Sequence, residues 1–308
     1  MEAWAPLVGA SASDIFKQHA DPMGALSKGS VPALILRSQL SSDASANILR
    51  RLPPLSSVWK PTSKTNFVLG KWRRRNSGHL TLGTDLKTFL VRNASPTALA
   101  HESRLYDVFY TQQGLGVAFE ALHGALFELG AHRHVRVGRD VIATNATISP
   151  GIFRHQGNGA TFLPHVDTLQ AHRWDSRKCP GNNMDDSRAR ARIGHFADLY
   201  RFDEMFSALL MLQPSDCNSP ITLFDTHWKS LLDDCRAQGH SHEIGVNIGA
   251  SFDKIRKGWN TTIRLGVGDV YVFNSNRVHR LDRVMGSVPR LTLGSFVGYS
   301  QSELRIFA

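Results

Sequence analysis

The sequence predicts a mainly β chain with flanking helices, its C-terminal half folded as an antiparallel barrel or double-sheet jelly roll. Three observations carry that reading. Seven stretches that read as strands follow one another after residue 133. Gly, Pro, Asn and Asp punctuate them, as turns between antiparallel strands require. The strongest helical region, residues 95–131, precedes them and would back one face of a sheet.

Taken in order, residues 1–30 read as loosely structured. VPALILRSQ (31–39) reads as a strand. SSDASANILRRL (41–52) reads as a helix, with Ser41, Ser42 or Asp43 as its cap. Residues 53–78 are rich in Pro, Ser, Thr and basic groups and read as loop. In the 95–131 region Ala118, Leu122, Ala125, Leu126 and Leu129 recur at helical spacing, and the Gly114–Gly116 pair breaks it into two helices. The strands then run HVRVGRDVIATNATISP (134–150), ATFLPHVDT (160–168), FSALLMLQP (206–214), SPITLFDTHW (219–228), TTIRLG (261–266), GDVYVFNS (268–275) and RLTLGSFVGYS (290–300). A polar insert with its own helix, 175–200, interrupts them. It is either a lid or decoration. No repeat is visible. The organisation expected is one domain over 1–308, with 1–132 as helical and loop elaboration and 133–300 as the jelly-roll core.

Composition bounds the function. With 308 residues, 42% of them hydrophobic and 20% charged, the chain has ordinary globular composition. The net charge of +10 and pI near 9.8 favour anionic ligands of any size, from carboxylates to nucleic acid. The basic clusters 71–75, 132–139 and 188–192 read equally as solvated surface charge. Three cysteines, Cys179, Cys217 and Cys235, without a CxxC pair argue against a disulfide framework or a structural zinc, and for a reducing compartment. The N-terminus has neither the basic start and apolar core of a secretory signal nor the arginines of a transit peptide. No apolar run reaches the roughly 18 residues that span a membrane. The expected location is therefore the cytoplasm. The Asn93, Asn145 and Asn260 triplets then carry no glycan.

Chemistry concentrates at FLPHVDTLQ (162–170). Strand side chains alternate, so His165 and Asp167 share a face and Val166 takes the other. An imidazole and a carboxylate so placed are two ready metal ligands. Two histidines and one carboxylate on one side of an octahedron are typical of non-haem iron oxygenases. The same H-x-D spacing at His19–Asp21 lies outside any strand pattern and is set aside. A third ligand comes from His172, His195, His227, His240, His242 or His279. His279 has the best context, near the end of GDVYVFNSNRVHRL. Arg290 follows eleven residues later and opens RLTLGSF. A guanidinium facing a barrel interior is costly unless an anion meets it, and a dicarboxylate co-substrate would do so. Thr292, two residues on, adds a hydroxyl on the same face.

PHVD, then VHR, then PRLT resembles the iron(II)- and 2-oxoglutarate-dependent dioxygenases, whose pattern is H-x-D, a distant H, then R-x-S/T about ten residues on. The resemblance covers roughly residues 133–300 and favours the branch acting on small molecules. It implies a double-stranded β-helix (jelly roll, cupin-like). It also implies that His165, Asp167 and His279 hold Fe(II), that Arg290 and Thr292 bind the far carboxylate of 2-oxoglutarate, and that dioxygen is the second co-substrate. Some aliphatic halogenases of this superfamily have Gly or Ala in place of the carboxylate, to admit chloride. Asp167 speaks against halogenation here.

Secondary candidates surround this set. Arg277, two before His279, either faces inward toward a substrate carboxylate or is exposed. Asn145 either hydrogen-bonds the keto acid or serves the strand ladder. Gln170, His172, Arg173 and Trp174 sit where a site rim is expected, with Gln170 and Arg173 as substrate candidates. Asp225 and Trp228 read as structural. The function expected is oxidation of an unactivated C–H bond in a small polar, carboxylated metabolite such as an amino acid, with hydroxylation as the default. Oxidative cyclisation or desaturation, of the kainoid-forming kind, is the first alternative. A nucleic-acid demethylase is the second, but RLTLGSF lacks the Asn and second Arg of the R-x-N-x-T-x-R pattern, so a nucleic-acid partner is not expected. A non-enzymatic jelly-roll binding module is the third. Neither the substrate's identity nor the oligomeric state is written in the sequence.

Overall fold

The computed structural model describes residues 4–59, 68–74, 79–84, 96–131, 133–137, 150–167, 202–230 and 259–307. The elements run β1 (Leu7–Gly9), α1 (Ala12–Gln18), α2 (Pro22–Lys28), β2 (Ala33–Leu36), α3 (Ser42–Arg51), β3 (Val58–Trp59), β4 (Trp72–Arg74), β5 (Leu80–Leu82), α4 (Pro96–Gln112), α5 (Gly116–Gly130) and β6 (His134–Val137). Then come β7 (Ile152–Gln156), β8 (Phe162–His165), β9 (Glu204–Gln213), β10 (Ile221–His227), β11 (Asn260–Ile263), β12 (Val270–Asn274), β13 (Arg277–Leu281), β14 (Arg290–Tyr299) and β15 (Glu303–Phe307).

Strands β7 to β14 form a jelly roll. β7, β9, β12 and β14 lie in the large sheet in the order β12-β9-β14-β7, while β8, β10, β11 and β13 form the small sheet in the order β11-β10-β13-β8. All eight pair antiparallel with their neighbours within these sheets. The chain thus crosses from sheet to sheet at nearly every turn, which is how a jelly roll closes on itself. The large sheet extends at both edges: β2 and β1 flank β12, and β5, β4 and β3 continue beyond β7.

Alternation along the strands divides the apolar side chains between two layers. Leu210, Leu212, Val270, Val272, Leu293 and Phe153 face outward from the large sheet and pack with Ile48 of α3, Tyr110 of α4, and Leu122 and Leu126 of α5. Leu209, Met211, Tyr271 and Phe273 face inward and meet Ile221, Leu223, Ile263 and Leu281 of the small sheet. β9 is covered on both faces, which is why FSALLMLQ reads as an unbroken apolar run. No helix among the described residues is long and apolar enough to cross a membrane.

Helix starts follow from local chemistry. Ser11 and Asp14 form a capping box on α1. Asp21 caps α2 by accepting from Gly24 N, with Pro22 in the first turn and left-handed Gly29 at the C-cap. Ser41 caps α3, as its sequence predicts. The second H-x-D pair therefore has a capping role: its Asp21 also forms an ion pair with Arg133 at 3.0 Å.

Several expectations need correction. Residues 4–30 carry β1, α1 and α2 rather than a loose segment. The 53–78 segment contributes two short strands, β3 and β4. β7 and β15 were not anticipated. The stretch 268–281 is two strands: β12 in the large sheet and β13 in the small one, with residues 275–276 turning between them. Two of the basic clusters are not simply solvated, for Arg73 is 4% exposed and Arg133 is held by Asp21 and Tyr299, while 188–192 lies outside the described residues. The insert 175–200 and residues 138–149 lie outside the described residues.

Leu293 is fully buried in the layer between the large sheet and the helices. Leu293→Ala is expected to lower unfolding free energy by about 2–5 kcal/mol, read as a lower urea midpoint at unchanged slope.

Candidate metal centre

The small sheet brings the sequence-predicted ligands together. His279 on β13 pairs directly across from His165 on β8. The imidazole centroids lie 4.3 Å apart, and each Nε2 stands 3.7 Å from Asp167 Oδ2. One ligand atom from each of His165, Asp167 and His279 falls within 4.8 Å of the others, close enough to grip a single cation. Val166 is buried on the opposite face, as strand alternation requires.

Both rings are oriented from behind. His165 Nδ1 lies 2.6 Å from the Leu163 carbonyl, and His279 Nδ1 lies 3.0 Å from the Arg277 carbonyl. A carbonyl can only accept, so Nδ1 carries the proton in each ring. The Nε2 lone pairs are left facing Asp167, which is the arrangement metal-binding histidines use. Phe273 packs edge-on against His279 at 4.8 Å and Phe162 against His165 at 5.8 Å. Burial holds the His279 pKa below the ordinary histidine range, reinforced by the neighbouring His165 and opposed by Asp167. A ring kept neutral is the ligating form.

A polar cluster anchors the backbone that carries these groups. Glu204 accepts from Asn274 Nδ2 at 3.2 Å and Asn276 Nδ2 at 2.5 Å, and its Oε2 lies 3.2 Å from His227 Nε2. Ser275 donates its N–H and its hydroxyl to the Met205 carbonyl. The Ser275 carbonyl in turn accepts the Asp167 N–H at 2.9 Å. One turn, residues 274–276, thus fixes Asp167 and launches the strand that bears His279.

Arg290 opens β14 on the inner face, 2% exposed. Its Nη1 donates to Gln156 Oε1 at 2.6 Å and its Nη2 to Tyr271 Oη at 3.3 Å. Its Nε has no hydrogen-bond partner among the described residues, and neither does Thr292 Oγ1, which is fully buried. Buried donors are normally satisfied. A guanidinium N–H and a buried hydroxyl two residues away, both left over, together fit a carboxylate. Burial raises the Tyr271 pKa, so its phenol stays protonated.

The other candidates fall differently. Arg277 forms an ion pair with Asp225 and donates to the Lys28 carbonyl at 3.2 Å. Its charge is therefore answered within the protein. The Asp225 carboxylate is taken by Arg277, and the Trp228 side chain is buried. Asn145, Gln170, His172, Arg173 and Trp174 lie outside the described residues. Gln156, Tyr271 and Glu204 escaped the sequence reading. Tyr271 was visible as the inward alternate of Phe273, whereas Gln156 sits on the unrecognised β7.

Residues 180–308 match the family described as carrier-protein-independent halogenase WelO5. The match begins beyond Asp167, so it does not touch the carboxylate position. No curated protein matches the chain in sequence. Among solved structures, the chain is similar to an N-substituted L-amino acid dioxygenase from Burkholderia ambifaria AMMD, at 13% identity and TM-score 0.49, over 93% of this chain and 90% of that one. It is also similar to HygX from Streptomyces hygroscopicus, solved with nickel and 2-oxoglutarate, at 12% identity and TM-score 0.38, over 86% and 82%. A Pseudomonas putida prolyl-4-hydroxylase is similar at 13% identity and TM-score 0.33, over 85% and 90%. The jelly-roll topology and the His-Asp-His group are those anticipated from the motifs.

Burial raises the Glu204 pKa, but the contacts from His227, Asn276 and Asn274 outweigh it and the net shift is downward. A depressed carboxyl pKa adds stability above its unfolded value and loses it as pH falls through the folded one. Glu204→Gln should therefore be less stable than wild type by about 1–3 kcal/mol near neutrality. The gap should close below the ordinary carboxylate range. Urea melts from pH 7 to pH 3 check this, and a gap unchanged across that window contradicts it.

Proposed function

We propose that this chain is an iron(II)- and 2-oxoglutarate-dependent oxygenase that oxidises a C–H bond of a small, carboxylated molecule, with hydroxylation as the outcome. The observation that carries the reading is the coincidence of two sites in one sandwich interior. His165, Asp167 and His279 are gathered within 4.8 Å, and the buried Arg290 keeps an unpartnered Nε–H two residues from the unpartnered hydroxyl of Thr292. A structural ion pair would explain neither the orphans nor the matched ring orientations.

His165 and His279 would offer Nε2 and Asp167 a carboxylate oxygen to Fe(II). When bound, the iron supplies activation of dioxygen. Every other step assigned here belongs to the chain. Arg290, Thr292 Oγ1 and the Tyr271 hydroxyl hold the far carboxylate of 2-oxoglutarate and set its reach toward the three ligands. Phe273 and Phe162 pack against the histidines and limit water at the centre. The overall balance is one substrate C–H, one dioxygen and one 2-oxoglutarate converted to C–OH, succinate and carbon dioxide.

The family that residues 180–308 match is a halogenase family. Asp167 argues for hydroxylation instead, since its carboxylate stands within reach of both histidines where a halide would need room. Ring closure or desaturation needs the same residues and is separated from hydroxylation by product mass.

Substrate-stimulated succinate release under Fe(II) tests the proposal. His165→Ala and His279→Ala should abolish it, and full release in either variant refutes the ligand assignment. Arg290→Ala should raise the 2-oxoglutarate KM by about tenfold or more while iron binding persists.

A further inference from the structure

A second arginine stands in the same interior. Arg154 lies on β7, directly opposite Thr292 of β14, so it shares the inner face with Arg290 and Thr292. Arg37, Arg133, Arg277 and Arg280 each form an ion pair with a carboxylate. Arg154 has neither an ion pair nor a hydrogen bond among the described residues. It is half-buried.

Its course is set by a glycine. A β-carbon at Gly294 would stand 3.7 Å from Arg154 Cζ and 3.5 Å from Leu209 Cγ. The side chain therefore crosses the bare backbone at 294 and ends with Cζ 5.8 Å from the Phe296 ring centroid. That direction leads away from Arg290. Ser207 pairs with both Phe296 and Phe273, and Phe273 packs against His279. The guanidinium thus reaches the level of the metal ligands. Desolvation lowers its pKa, while Asp167 and Tyr271 act to raise it and Arg290 to lower it, which places it in the field of both sites. An arginine stays charged even so.

We infer that Arg154 is the specificity-determining residue for the substrate, binding a carboxylate carried on an apolar body that rests against Phe296. This rests on the oxygenase reading and names its substrate class. The co-substrate does not account for Arg154: Arg290 and Thr292 answer one carboxylate of 2-oxoglutarate, and the cation answers the other. A half-buried cation left over, with an aromatic ring below it, calls for a second anion. Arg277, the residue the sequence put forward for this role, already has Asp225.

The test uses the full-length protein loaded with Fe(II) and 2-oxoglutarate without oxygen, and matched acid and amide probes: N-acetyl-L-leucine with its amide, phenylacetate with phenylacetamide, indole-3-acetate with indole-3-acetamide. Calorimetry should show at least one acid binding about tenfold or more tighter than its amide. Arg154→Gln should erase that preference and leave 2-oxoglutarate affinity within about threefold. Arg154→Lys, which keeps the charge and loses the fork, should retain part of the preference. Acids binding no tighter than amides in the wild type, whether both bind or neither does, overturns the inference. So does an acid preference that survives Arg154→Gln, or a loss of 2-oxoglutarate binding as large as that of Arg290→Ala. A wild type that binds no 2-oxoglutarate removes the oxygenase reading itself, and the inference with it.

Discussion

The constraint on which the rest of the structure depends is the enclosure of polar and charged groups between two sheets whose facing surfaces are otherwise apolar. Leu209, Met211, Tyr271 and Phe273 on one side and Leu223, Ile263 and Leu281 on the other make a dry core. Into that core the chain places Arg290, Thr292, His279 and the half-buried Arg154. Desolvating an ion costs roughly several kcal/mol even after relaxation. Such groups persist only when the protein or a ligand answers them. Gln156 and Tyr271 answer two nitrogens of Arg290 and leave its Nε over.

The same low-polarity interior makes the site selective. Hydrogen bonds and charge contacts strengthen where water is excluded, and misplaced groups are penalised there. The rings of His165 and His279 are therefore not free to rotate. Backbone carbonyls hold one nitrogen of each, aromatic neighbours pack their faces and edges, and the other nitrogens converge on Asp167. Behind them the Glu204 cluster fixes the 274–276 turn, to which Asp167 is tied through Ser275. The support is itself a polar network converging on Glu204 Oε2, and it holds the turn as a mount for two ligands.

Residue chemistry made much of this legible in the sequence. The H-x-D spacing placed two side chains on one face, and the apolar strand before His279 and the R-x-T opening of β14 marked the remaining groups. Ser41 announced its helix, and Gly114–Gly116 its break. What escaped notice did so for identifiable reasons. GIFRHQ carries Arg154, His155 and Gln156 within five residues, so its polarity hid a strand whose inner positions serve the cavity. The 268–275 strand was legible, but the second strand behind it was not, since Asn274, Ser275 and Asn276 do not by themselves announce a new strand. Only their bonds to Glu204 and Met205 reveal a change of sheet. Arg277 looked like a ligand-binding residue because its spacing to His279 is right, but Asp225, 52 positions away in the chain, takes its charge.

The sequence by itself determined the jelly-roll class, the three side chains able to hold a metal and the arginine at the start of the last long strand. Those rest on local periodicity and on residue types few other roles require. Only the tertiary structure decided which arginine is neutralised and which is left unanswered, and which strand mounts His279 opposite His165. The reason is physical: an ion pair or a sheet register joins residues remote in sequence, and their encounter depends on long-range packing that a local pattern does not carry.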